Sequence, residues 1–216
     1  MKPLSPMEFL DLYQAERASA ILRTDDADVV QPAMEAAIRG GFRIVEFTLT
    51  IPDAMTHIAR FASESDVVVG AGTVLTVEDA ESAVRAGASF LVSPVVDERI
   101  IDASRRLGVA MMPGTHTPTE MFRAHEAGAA LQKLFPAPGI GPEYVRACLG
   151  PMPFLRIVPT SGVTIDNVGA YLEAGAFAVG FVAPLFQPDN LAHRRFDAIE
   201  VRARALLDEV RNCPRR

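Results

Sequence analysis

The 216-residue chain has no tryptophan, two cysteines and two lysines. The cysteines, Cys148 and Cys213, give neither a disulfide framework nor metal-ligand spacing. His57, His125 and His193 sit on expected helices or a loop without ligand spacing, so no metal and no other cofactor is expected. Every apolar run is broken by glycine, proline or charge short of membrane-spanning length, and no membrane partner is expected. A net charge of −6 argues against a basic face for nucleic acid. Met1-Lys2-Pro3-Leu4 leads into Glu8, Asp11 and Glu16 rather than an apolar signal core, which reads as a cytoplasmic protein. With 49% apolar and 22% charged residues the chain is expected to be globular. No linker or low-complexity stretch divides it, so a single domain over 1–216 is expected.

What is present is a repeat. Short apolar strand candidates occur at 19–23, 43–49, 67–70, 90–93, 109–112, 130–135, 155–159 and 176–181. Helical stretches between them end in glycine, at Gly87, Gly108, Gly128, Gly150 and Gly175, where a helix C-cap is expected. Their spacings of 21, 20, 22 and 25 residues each fit one βα unit. Thr76 and Thr117 stand three residues before Asp79 and Glu120, the pattern of a capping box, and Thr164 precedes Asn167 likewise. Eight strands alternating with helices predict an α/β fold, a (β/α)8 TIM barrel, led by an amphipathic helix over 1–18. The alternative, a doubly wound sheet, lacks its GxGxxG fingerprint: Gly70-Ala71-Gly72-Thr73 has no third glycine.

Two charged residues interrupt the strand pattern. In 43–49, Val45, Phe47 and Leu49 share the apolar face, so Glu46 is expected to point into the barrel. A sequence with nineteen arginines keeps one lysine inside an apolar run, Lys133, in Leu131-Gln132-Lys133-Leu134-Phe135. Alternation groups Leu131, Lys133 and Phe135 but leaves open which face is inward. Both charges sit near strand C-terminal ends, where barrel enzymes keep their sites. Burial lowers a lysine's proton affinity and makes it a nucleophile for carbonyls. The competing reading is an ion pair that merely closes the barrel.

These residues and their neighbours resemble the class I 2-keto-3-deoxy-6-phosphogluconate (KDPG) and 4-hydroxy-2-oxoglutarate (KHG) aldolase family. The resemblance spans roughly residues 20–207. It is carried by Val45-Glu46-Phe47-Thr48-Leu49, Gly70-Ala71-Gly72-Thr73, Phe90-Leu91-Val92-Ser93-Pro94, Met112-Pro113-Gly114-Thr115, Lys133-Leu134-Phe135-Pro136 and Val158-Pro159-Thr160-Ser161-Gly162. It implies a homotrimeric barrel that needs no metal and takes a small keto-acid substrate. It implies that Lys133 forms a Schiff base with pyruvate and that Glu46 is the general acid/base. Arg23 and Thr73 would hold the pyruvate carboxylate; the competing roles are a salt bridge to Asp25 or Asp26 and a helix-capping hydroxyl. Pro94 and Phe135 would shape the pocket wall, and Thr160, Ser161 and Gly162 would face the distal, phosphate-bearing end.

The chain departs from the family at two places. Thr50 stands where some members carry a second carboxylate-binding arginine. After strand 8, where the family has a glycine-rich stretch ending in serine, this chain reads Gly180-Phe181-Val182-Ala183-Pro184. Phosphate cups need close backbone approach and free N–H groups, so an unphosphorylated substrate gains weight. Ser161 and an expected helix start at 163–166 remain as phosphate donors. The expected activity is thus cleavage of a 2-keto-4-hydroxy acid to pyruvate and an aldehyde. The alternatives are a sugar-phosphate epimerase or isomerase, which needs a metal or paired acids in place of Lys133, and a non-catalytic keto-acid-binding barrel.

Overall fold

The computed structural model describes residues 4–64, 66–137 and 139–214. Eight parallel strands form one sheet: β1 (Ala18–Leu22), β2 (Ile44–Thr48), β3 (Val68–Gly72), β4 (Phe90–Ser93), β5 (Ala110–Thr115), β6 (Gln132–Leu134), β7 (Ile157–Pro159) and β8 (Val179–Phe181). Each pairs with its neighbour in sequence, and β8 returns to pair with β1. A Thr160–Gly180 bridge joins the remaining edges, so the sheet closes into the expected (β/α)8 barrel.

Helices follow the strands: α2 (Ala27–Arg39), α3 (Ala54–Glu64), α4 (Val77–Arg85), α5 (Glu98–Leu107), α6 (Pro118–Glu126), α7 (Pro142–Leu149) and α8 (Val168–Glu173), then α9 (Pro188–Ala192) and α10 (Phe196–Asn212) after β8. Both anticipated capping boxes form, Thr76 with Asp79 and Thr117 with Glu120. Gly87, Gly108, Gly128 and Gly175 take positive φ at or just past helix ends. Gly150 does not: at φ −52 it remains right-handed and the chain leaves α7 through a turn. The helix expected to start at 163–166 is a turn there, and α8 begins at Val168.

Strand alternation sorts the core into two shells. Outward residues such as Val45, Phe47, Leu91, Leu134 and Phe181 pack against the helices. Inward residues Ile44, Phe90, Val92, Ala110, Met112, Leu131, Val158 and Ala178 form a separate cluster that includes Phe9 and Tyr13. These two aromatics come from the leading helix α1 (Pro6–Glu16), shorter than the expected 1–18; residues 1–3 of that range lie outside the described residues. Spaced four apart, both rings lie on one face of α1. Phe9 stacks on Phe90 at 4.5 Å between centroids, and the Tyr13 hydroxyl meets Ser19 Oγ at 2.8 Å. α1 therefore plugs the end of the barrel where the strands begin. Arg17, just past α1, donates to the Val210 and Cys213 carbonyls at the far end of α10, tying the two chain ends together. No helix among the described residues is long and apolar enough to cross a membrane.

Because Phe9 is fully buried against Phe90, Phe9→Ala is expected to cost about 3–5 kcal/mol. Denaturant unfolding checks this; a loss below about 1 kcal/mol contradicts the plug.

Candidate active site

Glu46 points into the barrel, as alternation predicts: its flanking residues Val45 and Phe47 belong to the outer shell and Ile44 to the inner cluster. The side chain is 1% exposed, and neither carboxylate oxygen has a hydrogen-bond partner. Burial pushes its carboxyl above the ordinary 4.5, against the opposing pull of the positive charges on Lys133 and Arg23. Leaving buried acceptors unpaired costs free energy, and such groups concentrate where chemistry uses them. The room for the carboxylate comes from β3, which pairs Glu46 with Gly70 and Thr48 with Gly72. A Cβ on Gly72 would lie 1.9 Å from Glu46 Oε1. The absence of a side chain at 72 thus defines where the carboxylate sits.

Lys133 resolves the ambiguity of its strand. Leu131 joins the inner cluster and Leu134 the outer shell, so Lys133 faces inward, in register with Gly114 and Val158. It is 7% exposed, and its Nζ lies 5.2 Å from the centroid of the half-buried Phe135 ring. Burial lowers its proton affinity; the Glu46 charge opposes that and the Arg23 charge reinforces it. An ion pair that merely closed the barrel would spend the carboxylate's acceptors on the ammonium. Here those acceptors are unspent.

Arg23, exposed at the end of β1, donates from Nη2 to Thr73 Oγ1 at 3.2 Å. The two residues expected to hold a carboxylate are therefore neighbours at the strand C-terminal ends. Neither takes its competing role. Asp26 and Asp28 are met instead by Arg194, at 4.0 and 3.3 Å, and the cap of α4 is Thr76. Thr73 adopts φ 60, a left-handed conformation that turns its strand end toward Arg23. Thr50 lies against Thr48, with 2.9 Å between their hydroxyl oxygens. Pro94, half-buried beyond β4, packs its backbone onto Gly114.

The loop after β7 is tied down internally. Thr160 is buried, with its hydroxyl turned to the Val158 carbonyl at 3.4 Å. Ser161 and Gly162 both take positive φ, 66 and 96. The Ser161 carbonyl accepts from the Ala137 N–H, and Asn167 donates to the Gly162 carbonyl while accepting from the Thr164 N–H. The Thr164 N–H, a donor that a phosphate would need, is thereby taken. His116 is exposed; its Nδ1 lies 3.0 Å from the Pro136 carbonyl, and its own carbonyl accepts from Tyr144, so it links the loops after β5 and β6.

Sequence reasoning missed two supports of the site. One is Gly72, whose signal is glycine at 70 and 72, alternating on the inward face that β3 shares with Glu46. The other is the buried Tyr13–Ser19 hydroxyl pair, signalled by the Phe9/Tyr13 spacing in the leading helix.

With this geometry, the comparisons with known proteins are specific. A family model described as KDPG and KHG aldolase matches residues 11–201. The 2-dehydro-3-deoxy-phosphogluconate aldolase of Treponema pallidum is 40% identical over 152 residues, spanning 69% of this chain and 71% of that one. The probable 2-dehydro-3-deoxy-6-phosphogalactonate aldolase of Rhizobium meliloti is 33% identical over 207 residues, spanning 94% and 92%. A solved structure described as native KDPGal superposes with a TM-score of 0.82 at 29% identity, covering 91% of this chain and 95% of that one. A buried lysine and an unpaired buried glutamate, in a barrel that matches along most of its length, place this chain in the KDPG and KHG aldolase family.

Proposed function

We propose that this protein, one domain over 1–216, is a class I aldolase that cleaves a 2-keto-4-hydroxy acid to pyruvate and an aldehyde through a Schiff base on Lys133. The observation that carries the reading is the single lysine among the described residues, buried in the barrel beside a carboxylate with no partner. The names of the relatives support substrates of the KDPG and 6-phosphogalactonate type.

The chemistry follows from the placement. The neutral Lys133 amine adds to the C2 carbonyl; the carbinolamine loses water and becomes a protonated imine. Glu46 takes the proton from the C4 hydroxyl, directly or through water. The C3–C4 bond breaks, its electrons flow to the imine nitrogen as an enamine forms, and the aldehyde leaves. Protonation at C3 and hydrolysis of the imine release pyruvate and restore the amine. Arg23 presents a planar fork to the C1 carboxylate, with the Thr73 hydroxyl beside it. Burial serves both partners: it weakens the amine's hold on its proton and makes Glu46 a stronger base than an exposed carboxylate.

A cytoplasmic homotrimer completes the proposal. Exposed Leu75 and Val95, on the loops after β3 and β4, supply apolar surface for contact between copies. A solution mass close to that of one 23.3 kDa chain would contradict it.

Pyruvate with borohydride is expected to label Lys133, read by mass spectrometry of the peptides, and Lys133→Arg is expected to abolish turnover because a guanidinium does not form the imine. Label confined to Lys2, or none, overturns the class I reading. The rate of trapping against pH is expected to inflect below the ordinary lysine value of 10.5. In Glu46→Gln the inflection moves lower still, because the carboxylate that holds the proton on Lys133 is gone. The same variant is expected to lower kcat by roughly 10²–10⁴-fold. Gly72→Ala places a methyl where the Glu46 carboxylate sits and is expected to lower kcat by about 10²-fold with the fold intact by circular dichroism. Unchanged kcat in either variant removes Glu46 from the mechanism.

A further inference from the structure

β6 carries Lys133 and is three residues long. Its pairing with β5 ends where Leu134 meets Thr115. Phe135, whose ring lies 5.2 Å from Lys133 Nζ, stands just beyond that end. β5 and the residue after it hold this segment with bonds outside the ladder. The buried Thr115 hydroxyl donates to the Lys133 carbonyl at 3.0 Å, and the Thr115 carbonyl accepts from the Phe135 N–H at 3.0 Å. His116 reaches one residue further, its Nδ1 lying 3.0 Å from the Pro136 carbonyl. A carbonyl only accepts, so Nδ1 carries the proton, in the neutral ring and in the imidazolium alike. His116 is itself fastened on two more sides. Its N–H donates to Glu120 Oε2 at 2.7 Å, and the Tyr144 hydroxyl donates to its carbonyl at 2.7 Å. The Tyr144 ring lies 6.3 Å from the imidazole and 24° from parallel. Partners on α6, on α7 and after β6 thus fix one exposed loop residue.

Resting on the class I aldolase reading, we propose that His116 is a positioning residue for Lys133: through the Pro136 carbonyl it holds the Phe135 ring beside the amine and so limits the water that reaches the nucleophile. Phe135 is half-buried while Lys133 is 7% exposed, so the ring forms part of the cover over the amine on the side toward solvent. Releasing the ring has two opposed effects on Lys133. The ammonium loses a cation–π partner, which lowers its proton affinity. The amine gains water, which raises it. Burial is the largest influence on Lys133, so the gain of water prevails. The charges that act on Lys133 are Glu46 from β2 and Arg23 from the end of β1, and neither touches His116. Glu120 and Tyr144 are the titratable groups bonded to His116 itself.

The test compares the wild type with His116→Ala and His116→Asn. The asparagine amide offers an N–H donor near the place of Nδ1, whereas alanine offers none. Trapping of Lys133 by pyruvate and borohydride is followed against pH, and deuterium uptake is read on the peptide containing residues 133–137. In His116→Ala the trapping inflection is expected to rise by about one pH unit, which cuts the neutral amine about tenfold at any pH below it. Uptake at 133–137 is expected to rise with it, and His116→Asn is expected to return both to the wild-type values. In Phe135→Leu the inflection is also expected to rise, and adding His116→Ala is expected to move it no further, because the ring is the intermediary. A lower Tm for His116→Ala with an unchanged inflection makes His116 a loop brace only and overturns the proposal. So does a falling inflection, failure of His116→Asn to restore it, or full additivity with Phe135→Leu. Each of these results, with Lys133 trapped in the wild type, removes only the inference; no trapping in the wild type removes the aldolase reading beneath it.

Discussion

A carboxylate and an amine share the inside of a largely apolar barrel, and the rest of the structure is arranged around the cost of that. Glu46 and Lys133 are both nearly excluded from solvent, and each alters the other's proton affinity without a hydrogen bond between them. Isolated, either charge would be expelled or neutralised. Together they hold a state from which the proton is easily moved, which is what imine chemistry requires. The glycines of β3 open the space for the carboxylate, and the Phe135 ring lies within cation–π distance of Nζ. Arg23 and Thr73 are hydrogen-bonded to each other at the rim.

Much of this was legible in the sequence because period and chemistry agreed. The alternation around Glu46 could be satisfied only by turning the glutamate inward, since Val45 and Phe47 needed the helix side. All eight strands and the closed barrel follow from apolar runs and regularly spaced helix ends. Lys133 was legible as unusual but not as inward, because apolar residues flank it on both faces. Only the opposite partners of Leu131 and Leu134 decide the matter, and those are tertiary facts. Gly150 shows the limit of a local rule: a glycine at a helix end permits a left-handed cap without demanding one. The early helix start at 163–166 failed for a similar reason. Asn167, expected as a partner of Thr164 within a helix, caps a turn instead and delays α8.

One of the departures from the resemblance, Thr50, stands near the centre of the site, hydroxyl to hydroxyl with Thr48. The other lies at the distal end. Beyond β8, Val182 and Ala183 replace the small and hydroxylated residues of the resemblance, and the loop's own N–H groups fold back onto the Val182 carbonyl. Ser161 occupies a left-handed position that glycine would take without strain.

The plug formed by α1 has a consequence for traffic. With Phe9 and Tyr13 closing the end where the strands begin, and Phe90, Val92, Met112 and Leu131 packed inside against them, the interior at that end is solid. A helix remote from the chemistry thus helps to keep water from the buried pair, and with it maintains the displaced proton affinities of Glu46 and Lys133.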